Sequence, residues 1–491
     1  MRPSGRALSA NDLLLCAIGA GLVLAAFFPA LVYSVDGNSM IAVAESLATG
    51  HGFSVASAGL GAPGRCGLYY SKWYPLLSVL AAPPAALGVL VSRRLGLPQH
   101  YVAAVFAVTL SPIIAAATVL LVAMVARRLG ASKRGALLAA LAFGFGTIAM
   151  TYSREFFADP LLALITIAGI YFALSDSVGA AALSAALAVL AKPTGIVLGP
   201  CLGGYLLCRR LSARRWLAPF GGTAAGLLIY LAYNWSRFEN PLDFGQRGDF
   251  ALNVVFPAMT GLLVSPGSGL LWYCPAVIAI AWLPAMTFKR LDTALIVAVA
   301  LAYLAEHSLW IFWVGGWSWG PRLLLPALPG LVALTGLLER RMRWLLVVLT
   351  VAGFVINAPT LMCFYERYDQ EAAAARISTQ AQTWDPRHAQ LFRIWGAALR
   401  ETEDAWREAD QVGAFVRQAG SEPVARTVAG SRALRIVNLW WWMLPAVGVP
   451  RIAGAAVSLA LLIAGVWLIA RALARARDDD FLCPHNVPLP R

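Results

Sequence analysis

The sequence predicts an all-α polytopic membrane protein with about twelve transmembrane helices. Three observations predict it. Of 491 residues, 59% are hydrophobic and only 13% charged, with a mean hydropathy of +0.68, which places the chain among polytopic membrane proteins. Long apolar runs recur from Leu13 to Ala470, and a helix needs ~20 apolar residues to span a bilayer. Short clusters of Lys and Arg separate the runs, as topology signals do. The net charge of +14 is therefore no sign of nucleic-acid binding. The seven Cys have no metal-like spacing, and Cys16, Cys201, Cys208 and Cys274 fall in or beside apolar runs, against a disulfide framework. No phosphate-cradling Gly loop, nucleophile elbow or zinc spacing is present.

The first span is read at 13–33. Arg2 and Arg6 precede it and no small-residue cleavage site follows, so it reads as a retained start-transfer helix. From Gly37 to Thr49, Met40, Val43, Ala44, Leu47 and Ala48 recur at three- and four-residue spacing, while Asn38, Glu45, Ser46 and Thr49 take the other face. The pattern predicts a short amphipathic helix at the interface, capped by Asp36 and stopped by Gly50. At ~1.5 Å per residue it falls short of a ~30 Å hydrocarbon core. Asp36 either only caps this helix or acts chemically; the local sequence leaves both open.

The apolar stretch 74–91 is interrupted by Pro83-Pro84 and followed by Arg93-Arg94. Charge parity decides how it lies. The later clusters are Arg127/Arg128/Lys133/Arg134, Arg209/Arg210/Arg214/Arg215, Lys289/Arg290, Arg340/Arg341/Arg343 and Arg471/Arg475/Arg477. A full crossing at 74–91 would put all of them outside; a re-entrant or interfacial helix keeps them inside with the N-terminus. The interfacial reading is the one adopted. The remaining spans then fall at 101–126, 136–150, 160–174, 179–191, 195–208, 216–233, 269–287, 293–312, 323–338, 344–361 and 452–470. Both termini are expected in the cytoplasm. Residues 1–362 form a membrane module with an outer loop at 34–100, and 363–449 a small outer cap. The last span and a tail occupy 450–491. The cap carries an acidic-basic, helix-like run at 399–418, and Trp440-Trp441-Trp442 marks its return to the interface.

The outward face collects the carboxylates Asp36, Glu155 and Asp159 and the cations Lys72, Arg154, Lys192, Arg237 and Arg322, all near predicted span ends. A charge beside hydrocarbon is costly unless it faces protein or a watery cavity, which makes each a candidate. Any one cation can instead anchor to lipid headgroups by snorkelling; five of them opposite the positive-inside clusters argue against that. Glu306-His307, near the outer end of a span, either satisfy each other between helices or reach a cavity and bind polar substrate. In the stretch from Trp313 to Arg322, small residues let the backbone turn tightly. Trp317 and Trp319 offer flat faces for a sugar ring, and Arg322 a planar fork for phosphate. An ordinary aromatic belt needs neither Gly315-Gly316 nor Pro321-Arg322.

These parts suit sugar transfer from a lipid-linked phosphate donor. An acceptor hydroxyl needs a carboxylate to take its proton. The phosphate leaving group needs no acid, only fixed positive charge where negative charge develops. Asp36 with Glu155 or Asp159 could also hold a divalent cation, though the spacing requires none. The alternative is a transporter or flippase of lipid-linked sugars, which calls for paired repeats and broken helices near mid-membrane; no repeat is evident.

The order of Asp36, Tyr70-Ser71-Lys72-Trp73-Tyr74-Pro75 and Arg154-Glu155-Phe156-Phe157-Ala158-Asp159-Pro160 resembles the GT-C membrane glycosyltransferases. The likeness is to the branch holding protein O-mannosyltransferases, lipid A aminoarabinose transferases and bacterial phospholipid-carrier-dependent relatives. Tyr233-Asn234-Trp235-Ser236-Arg237-Phe238, Ser265-Pro266-Gly267-Ser268-Gly269-Leu270 and Gly315-Gly316-Trp317-Ser318-Trp319-Gly320-Pro321-Arg322 extend it. The resemblance implies a GT-C fold, a polyprenyl-phosphate-sugar donor and a periplasmic active site. It further implies a glycan, lipid or protein acceptor. On the family's pattern Asp36 is the catalytic base, Asp159 a second functional acid with Glu155 as competitor, and Lys72 a ligand of the donor phosphate. The protein mannosyltransferases carry a paired Asp-Glu where Gly37 follows Asp36 here, which weakens a protein acceptor.

Overall fold

The computed structural model describes residues 10–29, 32, 34–245, 250–400, 402–403 and 439–482. Helix dominates them. The strands Ser54–Val55, Ala62–Pro63 and Tyr69–Tyr70 form one small antiparallel sheet in the first loop, with Tyr69–Tyr70 in the middle. Six helices are long and apolar enough to cross a membrane: Pro75–Leu95, Gln99–Leu129, Ala213–Phe238, Leu291–Ser308, Arg340–Leu361 and Arg451–Ala476. Shorter apolar helices stand beside them at Asn11–Ala26, Ala158–Leu174, Val178–Ala191, Pro193–Cys208, Leu252–Val264 and Arg322–Thr335. Length alone therefore does not establish about twelve spans. The stretch read as a span at 269–287 is no continuous helix. It breaks into Leu270–Tyr273 and the 3-10 turns Pro275–Trp282 and Ala285–Lys289, because Pro275 and Pro284 each remove an N–H and clash with the preceding turn.

The helix Val35–Ala48 corrects two expectations. Its cap is Ser34, whose Oγ accepts from the Gly37 N–H at 3.0 Å; Asp36 lies in the first turn with its carboxylate free for other work. Nor does the helix float with one wet face, since Gly37 to Ala44 are all buried. Its polar face is bonded to protein instead. Asn38 Nδ2 donates to Val32 O at 2.7 Å, and Glu45 takes Gln99 at 2.6 Å and His100 at 2.9 Å.

Pro75–Leu95 runs unbroken through Pro83-Pro84. Its length and apolar composition permit a crossing, and hydrogen bonds tie both of its flanks to the helix Val35–Ala48. Ser71 Oγ lies 2.7 Å from Ser39 Oγ before it, and His100 Nε2 lies 3.2 Å from Asn38 Oδ1 after it.

Ala158–Leu174 is buried along most of its length, against Leu110–Leu129 and Val178–Ala191, and holds Asp159 in its first turn. The helix Ala10–Ala26 packs along Arg451–Leu482, with Arg475 Nη1 3.1 Å from Asp12 Oδ1. The two backbones touch at glycines, since a Cβ on Gly19 would stand 2.7 Å from the Gly465 carbonyl oxygen. Small residues permit such close approach. Gly19→Val is expected to destabilise by about 1–3 kcal/mol, as overpacking does, read as a lower unfolding midpoint in detergent. In the cap, Glu366–Ala374 and Thr379–Trp384 are helical, as is 390–400. Most of the run expected at 399–418 lies outside the described residues. Trp440 donates its N–H to Phe28 O at 3.1 Å, bringing the chain back to the end of the first helix.

Candidate active site

Four charged side chains meet in a row. Arg322 stands at its centre. The loop before it turns through Gly315, Gly316 and Gly320, with φ of 87°, 72° and 59°, a region glycine enters without penalty. This fold returns Arg322 beneath Gly315, whose carbonyl accepts from Nη2 at 2.8 Å, and lays the guanidinium over the Phe157 ring at 4.4 Å. Nη1 then lies 3.5 Å from Asp36 Oδ2, and Nε 3.8 Å from Asp159 Oδ2. Lys192 donates to Asp159 Oδ1 at 2.6 Å. It reaches there because its backbone is extended between Val178–Ala191 and the turn Pro193–Val197.

Gly37 has a steric reason. A Cβ there would stand 2.7 Å from Val32 Cγ1 and 3.0 Å from the Phe156 carbonyl oxygen. A second acid after Asp36 has no room.

Asp36 and Arg322 open onto a hollow of about 490 Å³, shared with Lys72, Phe157, Trp317 and Glu366. A second hollow of about 360 Å³ adjoins it, since Lys72 and Trp310 line both. Tyr74, Lys192, Thr194, Tyr230, Glu306 and His307 complete its inner wall, and Ile196, Leu227 and Phe250 make its remaining side apolar. Lys72 Nζ lies 4.8 Å above the Trp73 ring.

Other residues singled out from the sequence sit elsewhere. Arg154 is buried and donates to the carbonyls of Thr360 and Leu361. Arg237 is fully buried, stacked 3.7 Å from the Tyr233 ring, and donates to Ser71 O and to Asn234 Oδ1; it holds the strand end that presents Lys72. Trp319 is wholly buried, with Nε1 2.7 Å from Asn357 Oδ1 and its N–H on Tyr152 Oη at 2.9 Å. It lines neither hollow, whereas Trp317 lines the first. Glu155 lines neither hollow.

Glu366 was missed. It belongs to the cap, yet it is 7% exposed and lines the first hollow with Asp36. An acid directly after Cys363-Phe364-Tyr365, at the edge of an apolar run, is the signal that could have found it.

Burial raises the Asp36 carboxyl above its ordinary range; Arg322 and Lys72 pull against it, and Asp159 pushes with it. Burial likewise raises Glu366 well above the usual carboxylate range, Glu155 to about 7 and Asp369 to about 8. Unfolded carboxyls titrate near ~4, so between that pH and ~8 the folded chain holds more protons than the unfolded one. Stability is then greatest at the acid end and is lost as pH rises. Unfolding midpoints at pH 5 and pH 9 check this, with the lower value expected at pH 9. Among the described residues no three His, Cys, Asp or Glu groups are placed to hold a metal ion. The Arg322 guanidinium occupies the place between Asp36 and Asp159 where a bridging cation would lie.

No family model matches the sequence, and no curated protein does. Among solved structures the chain is similar to ArnT from Cupriavidus metallidurans in the apo state. The identity is 15% and the TM-score 0.49, over 93% of this chain and 77% of that one. It is also similar to the same protein bound to undecaprenyl phosphate, at 16% identity and a TM-score of 0.46, over 95% and 79%. The Archaeoglobus fulgidus oligosaccharyltransferase follows at 12% and 0.33, over 98% and 53%. At such identities and scores the likeness assigns no chemistry to this chain.

Proposed function

We propose that this chain is an inverting glycosyltransferase of the GT-C type, taking a hexose or pentose from a polyprenyl-phosphate donor. The acceptor is a cell-envelope glycan, lipid or protein, and the reaction runs at the periplasmic face of a bacterial inner membrane, with both termini cytoplasmic. One observation carries the reading: a half-buried carboxylate, Asp36, shares a hollow with Lys72 and lies 3.5 Å from the Arg322 guanidinium.

The chemistry follows from that pairing. The acceptor hydroxyl gives its proton to Asp36 as its oxygen bonds to the anomeric carbon. The bond from that carbon to the phosphate oxygen breaks, and the oxygen keeps the electron pair. Negative charge grows on the departing polyprenyl phosphate beside Lys72 and Arg322, whose charge is fixed in advance. A single displacement inverts the anomeric configuration. Asp159 and Lys192 keep Arg322 in place from behind. Residues 1–362 carry this machinery, and the cap contributes Glu366 to the side from which an acceptor enters. The test is release of sugar-free polyprenyl phosphate from labelled polyprenyl-phosphate sugars by the purified full chain, wild type against Asp36→Asn. Equal turnover in both removes Asp36 as the base.

A further inference from the structure

The second hollow contains polar atoms that bond to nothing else in the protein. Among the described residues, Thr194 Oγ1, Tyr230 Oη, Glu306 Oε2 and His307 Nε2 are buried without partners, and all four residues line it. Buried polar groups are bonded in over ~90% of cases, so four orphans around one hollow point to a ligand that completes them. His307 is the most telling, at 2% exposure. Its Nδ1 lies 2.8 Å from the Tyr303 carbonyl oxygen. That oxygen only accepts, so Nδ1 carries the hydrogen and Nε2 of the neutral ring presents a lone pair. The Glu306 carboxyl and the Thr194 and Tyr230 hydroxyls can each take either role. A group that both donates and accepts suits all four, and a sugar hydroxyl is such a group. Tyr74, Tyr230 and Trp310 supply flat apolar walls for the ring.

We infer that this hollow, and not the tryptophan loop, holds the donor's sugar, and that Thr194, Glu306 and His307 read its hydroxyls. The inference rests on the glycosyl-lipid reading above and adds the class of sugar: neutral and hydroxyl-bearing, not a uronic acid. A sugar carboxylate would face the lone pair of His307 Nε2 with no free cation among the described residues beside it, since Lys192 is already held by Asp159 at 2.6 Å and Lys72 faces the phosphate. Because Lys72 lines both hollows, a phosphate on it places the sugar in one and leaves the other, with Asp36 and Trp317, for the acceptor.

The test titrates the full chain in detergent with three probes: a bare polyprenyl phosphate, a polyprenyl-phospho-hexose and the corresponding uronic acid. The wild type should bind the hexose lipid about tenfold tighter than the bare lipid, the size of one or two hydrogen bonds. It should show no such gain for the uronic acid. His307→Phe, Thr194→Val and Glu306→Gln should each shrink the gain while bare-lipid affinity stays within about twofold. Three variants are used so that one that misfolds, seen as lost bare-lipid binding, leaves two to decide. Wild-type affinity equal for bare and hexose lipids overturns the sugar site alone, as does a full gain kept by the variants. A gain for the uronic acid equal to that for the hexose overturns the class of sugar. A wild type that binds none of the three overturns the glycosyl-lipid reading, and this inference with it.

Discussion

Asp36→Asn is expected to lower turnover by about 10²–10⁴-fold, the usual contribution of a positioned base, and to leave donor affinity nearly unchanged. The amide matches the carboxylate in shape and can still meet Arg322 across 3.5 Å, but it accepts no proton. The pH profile gives the same residue a second signature. The base works only when ionised, and burial raises its carboxyl. Turnover should therefore fall on acidification at a higher pH than an ordinary carboxylate, near ~4, would impose. The asparagine variant should lack that limb in whatever residual rate remains. Rates of polyprenyl phosphate release across pH, with donor titrations of both proteins, check the pair of expectations.

Arg322→Ala carries the second large effect. Removing the guanidinium takes away fixed positive charge from the hollow and leaves Asp36 and Asp159 with no cation between them. Charge-assisted hydrogen bonds are worth about 1.5–3 kcal/mol, so affinity for bare polyprenyl phosphate should fall about 10- to 100-fold. Arg322 also pulls against the burial that raises Asp36; without it the acid limb of the rate profile should move to still higher pH. Arg322→Lys should rescue little, because one ammonium cannot take Gly315 O and face two carboxylates as a planar fork does. Unchanged lipid affinity in the alanine variant would count against a phosphate role.

Much of the site was legible because charge beside hydrocarbon is conspicuous. Asp36, Lys72, Asp159, Lys192 and Arg322 stand out in so apolar a chain; the structure brings four of them around two joined hollows and sets Asp159 behind, against Arg322 and Lys192. Arg154, Arg237 and Trp319 stand out equally and are instead bonded to backbone or side chains within the protein. Nothing in local sequence separates an arginine that faces a cavity from one that braces a strand, since both must be buried and paired. Glu366 escaped notice for the converse reason: it lies in a polar stretch where one more acid carries no signal.

The sequence by itself determined that this is a helical membrane protein, that charge clusters order its crossings, and which types of chemistry-bearing residue lie near the span ends. Hydropathy and charge act residue by residue against the bilayer, so they can be read without a fold. Tertiary structure decided that Ser34 and not Asp36 caps the first loop's helix and that the chain from Ser71 to His100 is bonded at both its ends to the helix Val35–Ala48. It also decided that Arg322 joins two acids from distant segments. Each of these depends on which surfaces meet across long stretches of chain, where packing and pairing, not local pattern, set the distance.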